Sequence, residues 1–286
     1  MSARSTVLYD APGPAARRRA LVGSLIALVV FAGVLWYVYR RLDEQGQFEA
    51  DKWAPLLDPG DPDFQDVWAL LREGLINTLR AAVLAMSFSL VAGTVLAVVR
   101  ITSLWWYRWF VVSFIEVFRG IPIVIAVFFS ARVLPEVGID LAPLWYLVIG
   151  LTVYNAAIIA EIVRSGILAL PRGQQEAAAA IGLTRGQSLR LVQLPQAFRV
   201  MLPALISQLI VVLKDTSLGF IILYPELVRT GGIIVQNLRN PIQTYLVIGV
   251  IFVLVNYVLS RIAVLVERRL SKSTVHADVT AMPDPE

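Results

Sequence analysis

Two amino acids that build many active sites are missing or nearly missing from this chain of 286 residues. The chain has no cysteine, so disulfides, thiol nucleophiles and cysteine-bound metal ions are excluded. Its one histidine, His276, stands in a polar stretch near the C-terminus. The chain therefore lacks the histidines that a histidine-built metal site or a serine–histidine triad needs. We expect neither a metal site nor catalytic residues of these kinds.

Lysine is also scarce, since Lys52, Lys214 and Lys272 are the only three. None of them ends a Gly-x-x-x-x-Gly-Lys-Ser/Thr run, the loop with which many ATPases bind phosphate. The sequence therefore predicts neither ATP hydrolysis nor a bound cofactor in this chain.

Charged residues make up only 16% of the chain, compared with roughly 25% in soluble domains, whereas 57% are hydrophobic. The mean hydropathy is +0.70, and the apolar residues are gathered in long blocks. These blocks cover residues 21–39, 78–99, 113–134, 144–163, 201–223 and 245–266. Because each block is long enough to cross a bilayer as a helix, the pattern predicts an all-α membrane protein with six transmembrane helices.

The first block, residues 21–39, has two interpretations. Three arginines precede it, and as a helix it reaches roughly 28 Å, which is enough to cross a membrane. A removable signal peptide is the alternative, but no clear small-x-small cleavage site stands before Arg40. The pattern favours a retained membrane anchor.

Lysine and arginine are unevenly divided between the two sides of the predicted membrane. With the N-terminus placed inside, the inner segments hold fifteen of them and the outer segments hold six. Because this bias marks the cytoplasmic side, both termini are expected in the cytoplasm. The predicted layout is a cytoplasmic tail (1–20), a first helix (21–39), an exposed acidic extracytoplasmic connector (40–76), a transmembrane domain (77–267) and a disordered cytoplasmic tail (268–286).

The connector at residues 170–200 is the longest on the inner side and has the most regular pattern, LPRGQQEAAAAIGLTRGQSLRLVQLPQAFRV. Residues 174–181 favour a short helix with Glu176 in its first turn, where a carboxylate suits the helix dipole. Gly182 suits the left-handed conformation that often ends a helix. The sequence therefore predicts a short helix that stops at Gly182.

A second helix is predicted directly after the first. Thr184 and Gln187 have the spacing of a capping box, and Pro195 is expected to interrupt the helix that they begin. Two short helices joined by a glycine turn resemble a DNA-reading motif, but a connector held between two membrane spans can hardly enter a groove of DNA. A protein partner is therefore the better interpretation.

The first short helix has features that suit contact with a partner. The four alanines at 177–180 leave a nearly smooth surface, and Glu176, Arg185 and Arg190 provide charges that would set the register. An amphipathic surface helix without a partner remains the alternative, because alanine-rich helices are common.

Eight residues of this connector carry a resemblance to a known family. They are Gly173, Gln174, Glu176, Ala177, Ala178, Gly182, Leu194 and Pro195. Their order and spacing resemble the "EAA" loop of bacterial ABC importer permeases, whose helix docks into the nucleotide-binding subunit. Across residues 77–267 the chain resembles the polar amino acid (histidine/glutamine/glutamate) subfamily of these permeases. Within the subfamily it resembles the glutamate-type permeases most. The segments that carry this resemblance are IEVFRGIPIVI, EIVRSGI, LPQAFRVMLP and LKDTSLGFI.

The resemblance implies a type I (MetI-like) ABC importer permease in the plasma membrane of a bacterium. It implies a core of five helices, to which the helix at 21–39 is an N-terminal addition, and it leaves the role of residues 1–70 open. The implied partners are a second permease, as a homodimer or heterodimer, an extracytoplasmic substrate-binding protein and an ATPase subunit that binds ATP and magnesium. Nucleic acid is not among them.

Several charged residues fall inside the apolar blocks, where an unpaired charge costs roughly 2.5–3.5 kcal/mol at the membrane centre. Glu116 and Arg119 are three residues apart, as are Glu161 and Arg164, so each pair lies on one helical face and can neutralise itself. A place in the substrate path is the other interpretation of Glu116 and Arg119.

Lys214 and Asp215 differ from these pairs, because neighbours on a helix point about 100° apart and cannot readily face each other. Thr216, Ser217 and Gly219 follow at once and form a polar, flexible patch of the kind that lines a substrate path. Helix packing is the alternative for these small residues.

We therefore predict a permease for a polar amino acid, with glutamate as the first candidate substrate. In this hypothesis Lys214, with Arg80 or Arg119, offers positive charge to the substrate carboxylate. Asn155 is a further candidate for the path, although it can also simply bond to a neighbouring helix.

Two other functional classes stay open on the sequence alone. Buried charges and six spans would also suit an ion-coupled secondary amino acid transporter. Glu116, Glu161 and Asp215 could in addition serve as acid–base groups of an intramembrane enzyme. Uptake that follows ATP, and the absence of a chemically altered product, would separate these classes from an ATP-driven importer.

Overall fold

The computed structural model describes residues 13–102 and 104–278, with side chains as far as residue 265. Every regular element in these residues is helical, which confirms the predicted all-α fold. The α-helices are α1 (Pro14–Glu44), α2 (Ala50–Leu57), α3 (Phe64–Thr102), α4 (Trp105–Gly120), α5 (Ile123–Glu136), α6 (Pro143–Leu168), α7 (Arg172–Ala180), α8 (Arg185–Ser188), α9 (Leu194–Asp215), α10 (Leu227–Leu238) and α11 (Pro241–Asp278). A π-helical turn, Leu189–Gln193, precedes α9, and a 3-10 helix, Thr216–Ile222, follows it.

The chain divides into two units, Met1–Ala54 and Pro55–Glu286. In the first unit α1 has no buried residue, and its large apolar side chains are exposed all round. A helix of this kind is suited to contact with lipid. It extends beyond the predicted block 21–39 at both ends, and the predicted tail at residues 1–12 lies outside the described residues.

The acidic connector predicted at residues 40–76 is largely helical, so the prediction of an exposed loop is wrong for most of it. α1 ends at Glu44, α2 occupies part of the connector, and α3 begins at Phe64. Within the second unit, Val67 and Leu71 of α3 are buried in a cluster with side chains from α10 and α11. This packing supports helical turns beyond the apolar block, where hydropathy does not indicate them.

Five stretches in the described residues are long and apolar enough to cross a membrane, namely α1, α3, α6, α11 and the continuous helical segment that contains α9. α4 and α5 make a sixth span if they are counted together, which agrees with the predicted number. However, the two are bent by 104° relative to each other, so the predicted span at 113–134 is broken into two helices. The break lies at Ile121, which is extended because Pro122 follows it and disfavours a helical residue at that position.

α6 is the central helix of the second unit and packs against α3, α4, α5 and α9. Two of these crossings are close because a glycine stands at the contact. A Cβ atom on Gly93 of α3 would lie 2.8 Å from the carbonyl oxygen of Ala156, and one on Gly150 of α6 would lie 2.6 Å from the Cα atom of Val127. Small residues thus allow the backbones of the spans to approach each other.

The C-terminal end of the chain differs from its prediction as well. α11 continues to Asp278, so residues 268–278 are helical, and the predicted disordered tail is wrong for that stretch. Residues 279–286 lie outside the described residues.

Candidate coupling loop and translocation path

α7 lies almost wholly at the surface, since Ala178 is its one buried residue. The helix begins at Arg172, two residues earlier than predicted, because Pro171 has the fixed φ that suits the position before a helix. Glu176 consequently lies in the second turn, and its predicted place in the first turn is wrong. Glu176 and Ala177 are exposed, so α7 presents an open face that carries one carboxylate.

The end of α7 agrees with the prediction. Gly182 has a φ of +85°, the left-handed conformation that glycine adopts without strain. Its amide donates to the carbonyl of Ala179 (3.0 Å), and the amide of Leu183 donates to the carbonyl of Ala178 (3.1 Å). These two bonds form a Schellman motif, which ends a helix firmly. A Cβ on Gly182 would meet no atom within 4 Å, so the demand for glycine is conformational.

The predicted capping box is confirmed at the start of α8. The amide of Thr184 donates to Oε1 of Gln187 (2.9 Å), and the amide of Gln187 donates to Oγ1 of Thr184 (3.4 Å). The predicted interruption at Pro195 is wrong, because the helical chain continues through the π-helical turn into α9. In that turn the amide of Leu194 donates to the carbonyl of Leu189, which accommodates a proline that has no N–H of its own.

Glu161 of α6 lies between two arginines. Nε of Arg164 donates to its Oε1 (3.0 Å), as the spacing predicts, and Nη1 of Arg100 donates to its Oε2 (2.7 Å). Arg100 was not predicted as a partner, because it comes from α3 and no local spacing indicates the contact. The carboxylate is therefore shared by two cations.

The other predicted pair is also present. Nη1 of Arg119 lies 3.7 Å from Oε1 of Glu116, and both side chains are largely exposed. Arg119 and Glu161 line the same open cleft, which has a volume of about 480 Å³ and is also lined by Met201 of α9. Arg119 thus lies at an opening between helices that is large enough to hold water, and not in a packed core.

The polar patch at the end of α9 divides into exposed and buried members. Lys214 is exposed and Asp215 half-buried, and neither side chain has a hydrogen bond or salt bridge in the part of the chain that is described. Thr216 is buried, and its hydroxyl donates to the carbonyl of Leu213 (2.6 Å), whereas Ser217 is half-buried. α9 tightens into the 3-10 helix at this point, a change that often marks a hinge.

Two further candidates for the path lie in different surroundings. Arg80 is exposed on α3, with no ion pair among the described residues. Asn155 of α6 is fully buried, and its Oδ1 accepts from Nε2 of Gln208 in α9 (2.7 Å). Within this chain Asn155 therefore joins two helices. The sequence contained no signal for Gln208, because 53 residues separate the two amides.

Glu226 is a polar residue that the sequence analysis missed. It is fully buried at the start of α10, where its carboxylate accepts the amides of Val228 (2.8 Å) and Arg229 (2.7 Å). Burial raises the pKa of this carboxyl to about 7, although both hydrogen bonds lower it. Its position before an amphipathic stretch was the available signal, but glutamate is not among the preferred N-cap residues.

Within residues 13–102 and 104–278, no group of three or more histidine, aspartate or glutamate side chains could hold a metal ion. The site consists of one exposed short helix and of charged groups spread over α3, α4, α6 and α9. An exposed helix face and exposed charges of this kind are suited to contact with partners and solutes.

Comparison with known proteins identifies the family of this chain. Residues 81–272 match the family described as "Binding-protein-dependent transport system inner membrane component". The chain is 38% identical to the glutamate transport system permease protein GluD of Corynebacterium glutamicum. The alignment spans 251 residues, which are 85% of this chain and 90% of GluD. It is 36% identical over 213 residues to the glutamine transport system permease protein GlnP of Escherichia coli K12, with 73% of this chain and 97% of GlnP covered.

The fold is similar to a solved amino acid ABC transporter, described as a crystal structure "with histidines". The TM-score is 0.66 and the identity 30%, over 72% of this chain and 96% of that one. The chain therefore belongs to the family of inner-membrane components of binding-protein-dependent transport systems, and it is a multi-pass ABC transporter permease.

Proposed function

We propose that this chain is the permease subunit of an ATP-driven importer for a polar amino acid, with glutamate as the first candidate. The observation that carries the proposal is α7, an exposed helix with a smooth alanine face, a free carboxylate at Glu176 and a firm stop at Gly182. Of its four alanines, Ala178 is buried within the chain, and Ala177, Ala179 and Ala180 are exposed. The names of the relatives GluD and GlnP support the substrate class.

In this proposal α7 docks into a separate ATPase subunit that binds ATP and magnesium. α7 and both termini of the chain lie on the cytoplasmic side. The excess of lysine and arginine in the inner segments supports that orientation. A second permease, identical or different, and an extracytoplasmic binding protein complete the complex. When ATP closes the ATPase pair, the two docked helices are drawn together and the spans open outward, and hydrolysis resets them.

The proposed path uses exposed cations for a substrate carboxylate. Lys214 is exposed at the end of α9, and Arg80 and Arg119 are exposed on two other helices. Ser217 lies beside Lys214 at a tightened helical turn, where a polar patch can face the path. Glu116 holds Arg119 by an ion pair, which sets the position of that cation.

Uptake by the reconstituted complex tests the proposal. The unmodified chain with its ATPase and binding protein is expected to accumulate acidic or amide amino acids only when ATP is present. Glu176→Lys and Gly182→Leu are expected to reduce ATPase attachment about tenfold or more, because one reverses the docking charge and the other forbids the left-handed turn.

Gly186→Leu is the matched control for the second variant. Gly186 also has open space around it, but it has no left-handed backbone, so leucine should be tolerated there. All variants should insert in the membrane normally. Full transport by both Glu176→Lys and Gly182→Leu, or uptake driven by an ion gradient without any ATPase, would contradict the proposal.

A further inference from the structure

The first turns of α4, residues 105–110, form an aromatic segment in which every residue except Arg108 is aromatic. Its five rings are each 67–69% exposed, and those of Trp105 and Trp106 stack with 4.2 Å between their centroids. Because six consecutive helical residues point in all directions, the chain covers no side of the aromatic segment. Packing of α4 begins only at Val111, which is half-buried, and is complete at Ile115.

The aromatic segment starts at the end of the spans where α7 and α8 lie. α3 ends at Thr102, which lines a cavity together with Gln174 of α7. The carbonyl of Ile101 accepts a hydrogen bond from Nη2 of Arg185 in α8 (3.3 Å). Only two residues separate α3 from α4. Since α7 and α8 are polar helices that connect two spans, the aromatic segment begins at a face of the membrane and not at its centre.

Two features of the aromatic segment are unsuited to the hydrocarbon interior of a bilayer. The first amides of a helix have no partner within it, and the N-cap residue Leu104 provides no side-chain hydrogen bond. The side chain of Arg108 is exposed and has no hydrogen bond or ion pair in the part of the chain that is described. Unpaired amides and an unpaired charge are both costly in hydrocarbon. The aromatic segment therefore needs water or lipid headgroups around it.

Bulk water is equally unsuited to five exposed rings, because apolar area in contact with water is unfavourable. Indole and phenol rings combine an apolar body with an N–H or O–H group, and such rings concentrate at the headgroup level of membranes. A protein partner would cover one side of the helix, whereas these rings are exposed all round. The boundary between headgroups and acyl chains suits the rings, the free amides and Arg108 together.

We propose that the aromatic segment is a membrane anchor in the headgroup boundary of the bilayer, with its rings among the upper acyl chains and Arg108 beside the lipid phosphates. Its partner is phospholipid. The anchor fixes the depth at which the corner between α3 and α4 lies in the membrane. This inference depends on membrane insertion and not on the substrate or the ATPase, so it can fail while the proposed function holds.

Spin labels on single introduced cysteines measure this depth, and the chain has no cysteine of its own. The labelled chain is placed in nanodiscs of phosphatidylcholine and phosphatidylglycerol, and its collisions with oxygen are compared with those with a water-soluble nickel chelate. Asp58→Cys, at an exposed acid after α2, gives the ratio for water, and Val253→Cys, on an exposed side of α11, gives the ratio for hydrocarbon. The oxygen-to-nickel ratio at Tyr107→Cys is expected to lie between the two.

Replacement of the three tryptophans tests the cause of this depth. Trp105→Ser, Trp106→Ser and Trp109→Ser together should shift the ratio at Tyr107→Cys toward the value for water, because the anchor loses most of its interfacial rings. Ile181→Ser is the matched control. Ile181 is 76% exposed and follows α7 at the same end of the spans, but it lies outside the aromatic segment, so the ratio should not change.

A ratio at Tyr107→Cys equal to either reference value overturns the inference, because water or hydrocarbon would then surround the aromatic segment. Low collision rates with both reagents, or a ratio that changes when the ATPase subunit is added, would show that protein covers the segment and would overturn the inference as well. If the triple variant fails to fold, the ratio at Tyr107→Cys in the otherwise unmodified chain still decides. ATP-driven uptake, measured separately, decides the proposed function.

Discussion

The side chain of Glu226 is fully buried at the start of α10, where its carboxylate accepts hydrogen bonds from two backbone amides. Burial raises its pKa and the amides lower it, and the balance is a pKa of about 7. Tyr224, beside it in the chain, has a pKa that burial also raises, while the charge of Arg80 acts in the opposite direction on Tyr224. Glu226 therefore changes its charge near neutral pH, outside the membrane-spanning segments.

The pH dependence of unfolding tests this residue. Between its ordinary pKa of 4.5 and about 7, the folded chain keeps a proton that the unfolded chain releases. The stabilising contribution is thus fully present below pH 4.5 and is lost as the pH rises through 7, by about 3 kcal/mol in total. Thermal unfolding in detergent should show a midpoint that falls over this interval, and Glu226→Gln should flatten the fall.

Glu73→Gln serves as a control for Glu226→Gln, because Glu73 is an exposed acid on α3. This variant should keep the pH dependence of the unmodified chain. A midpoint that rises with pH in the unmodified chain, and no longer does so in Glu226→Gln, would mean that the two amides outweigh burial.

The helices of the second unit meet at close crossings, of which the crossing of α5 and α6 is the tightest for the backbone. Gly150 faces the backbone of Val127, and there is no flexible side chain that could move aside. The same α5 begins after the 104° break, so its position depends on this crossing as well as on the chain connection. Such contacts determine the position of a span, whereas its apolar composition determines only that the segment can cross a membrane.

Gly150→Ala is expected to destabilise the protein by about 1–3 kcal/mol, because the added methyl group overpacks the α5–α6 crossing. Gly249→Ala in α11 is the matched control: a Cβ there meets nothing within 4 Å, and alanine favours a helix. Thermal unfolding of the purified proteins measures both. Equal midpoints for the two variants would show that α5 moves away from α6 without cost.

At the scale of the whole molecule, two of the candidate spans carry exposed cations. Lys214 and Arg80 are exposed, and a charge that faces lipid costs roughly 2.5–3.5 kcal/mol or more at the membrane centre. The faces that carry them must therefore meet water or another subunit. This requirement agrees with the substrate path and the second permease proposed above.

Lys214→Met tests the path in the reconstituted complex. Loss of a charged partner for a substrate carboxylate should lower uptake at subsaturating substrate by about 10- to 100-fold, with a parallel loss of substrate-stimulated ATP hydrolysis. Arg132→Met is the control, because Arg132 is a cation stacked over the ring of Phe128 in α5 and outside the proposed path. Unchanged uptake and ATP hydrolysis in Lys214→Met would exclude Lys214 from substrate binding.

Features that depend on neighbours along the chain were predictable from the sequence. The apolar blocks indicated the spans, because crossing a bilayer requires length and hydropathy alone. Gly182 indicated the end of α7, and Thr184 with Gln187 indicated the start of α8, since backbone conformation and capping act within a few residues. The Glu116–Arg119 pair followed from a spacing of three on one helix.

Only the tertiary structure decided what each span packs against. It joined Arg100 to Glu161 across 61 residues and Gln208 to Asn155 across 53, and no periodicity encodes such contacts. It also extended α3 beyond its apolar block through packing on α10 and α11, and it placed Gln174 beside Gln196. The physical reason is that local sequence sets backbone conformation and solvent preference, whereas side-chain partners depend on which helices the folded chain brings together.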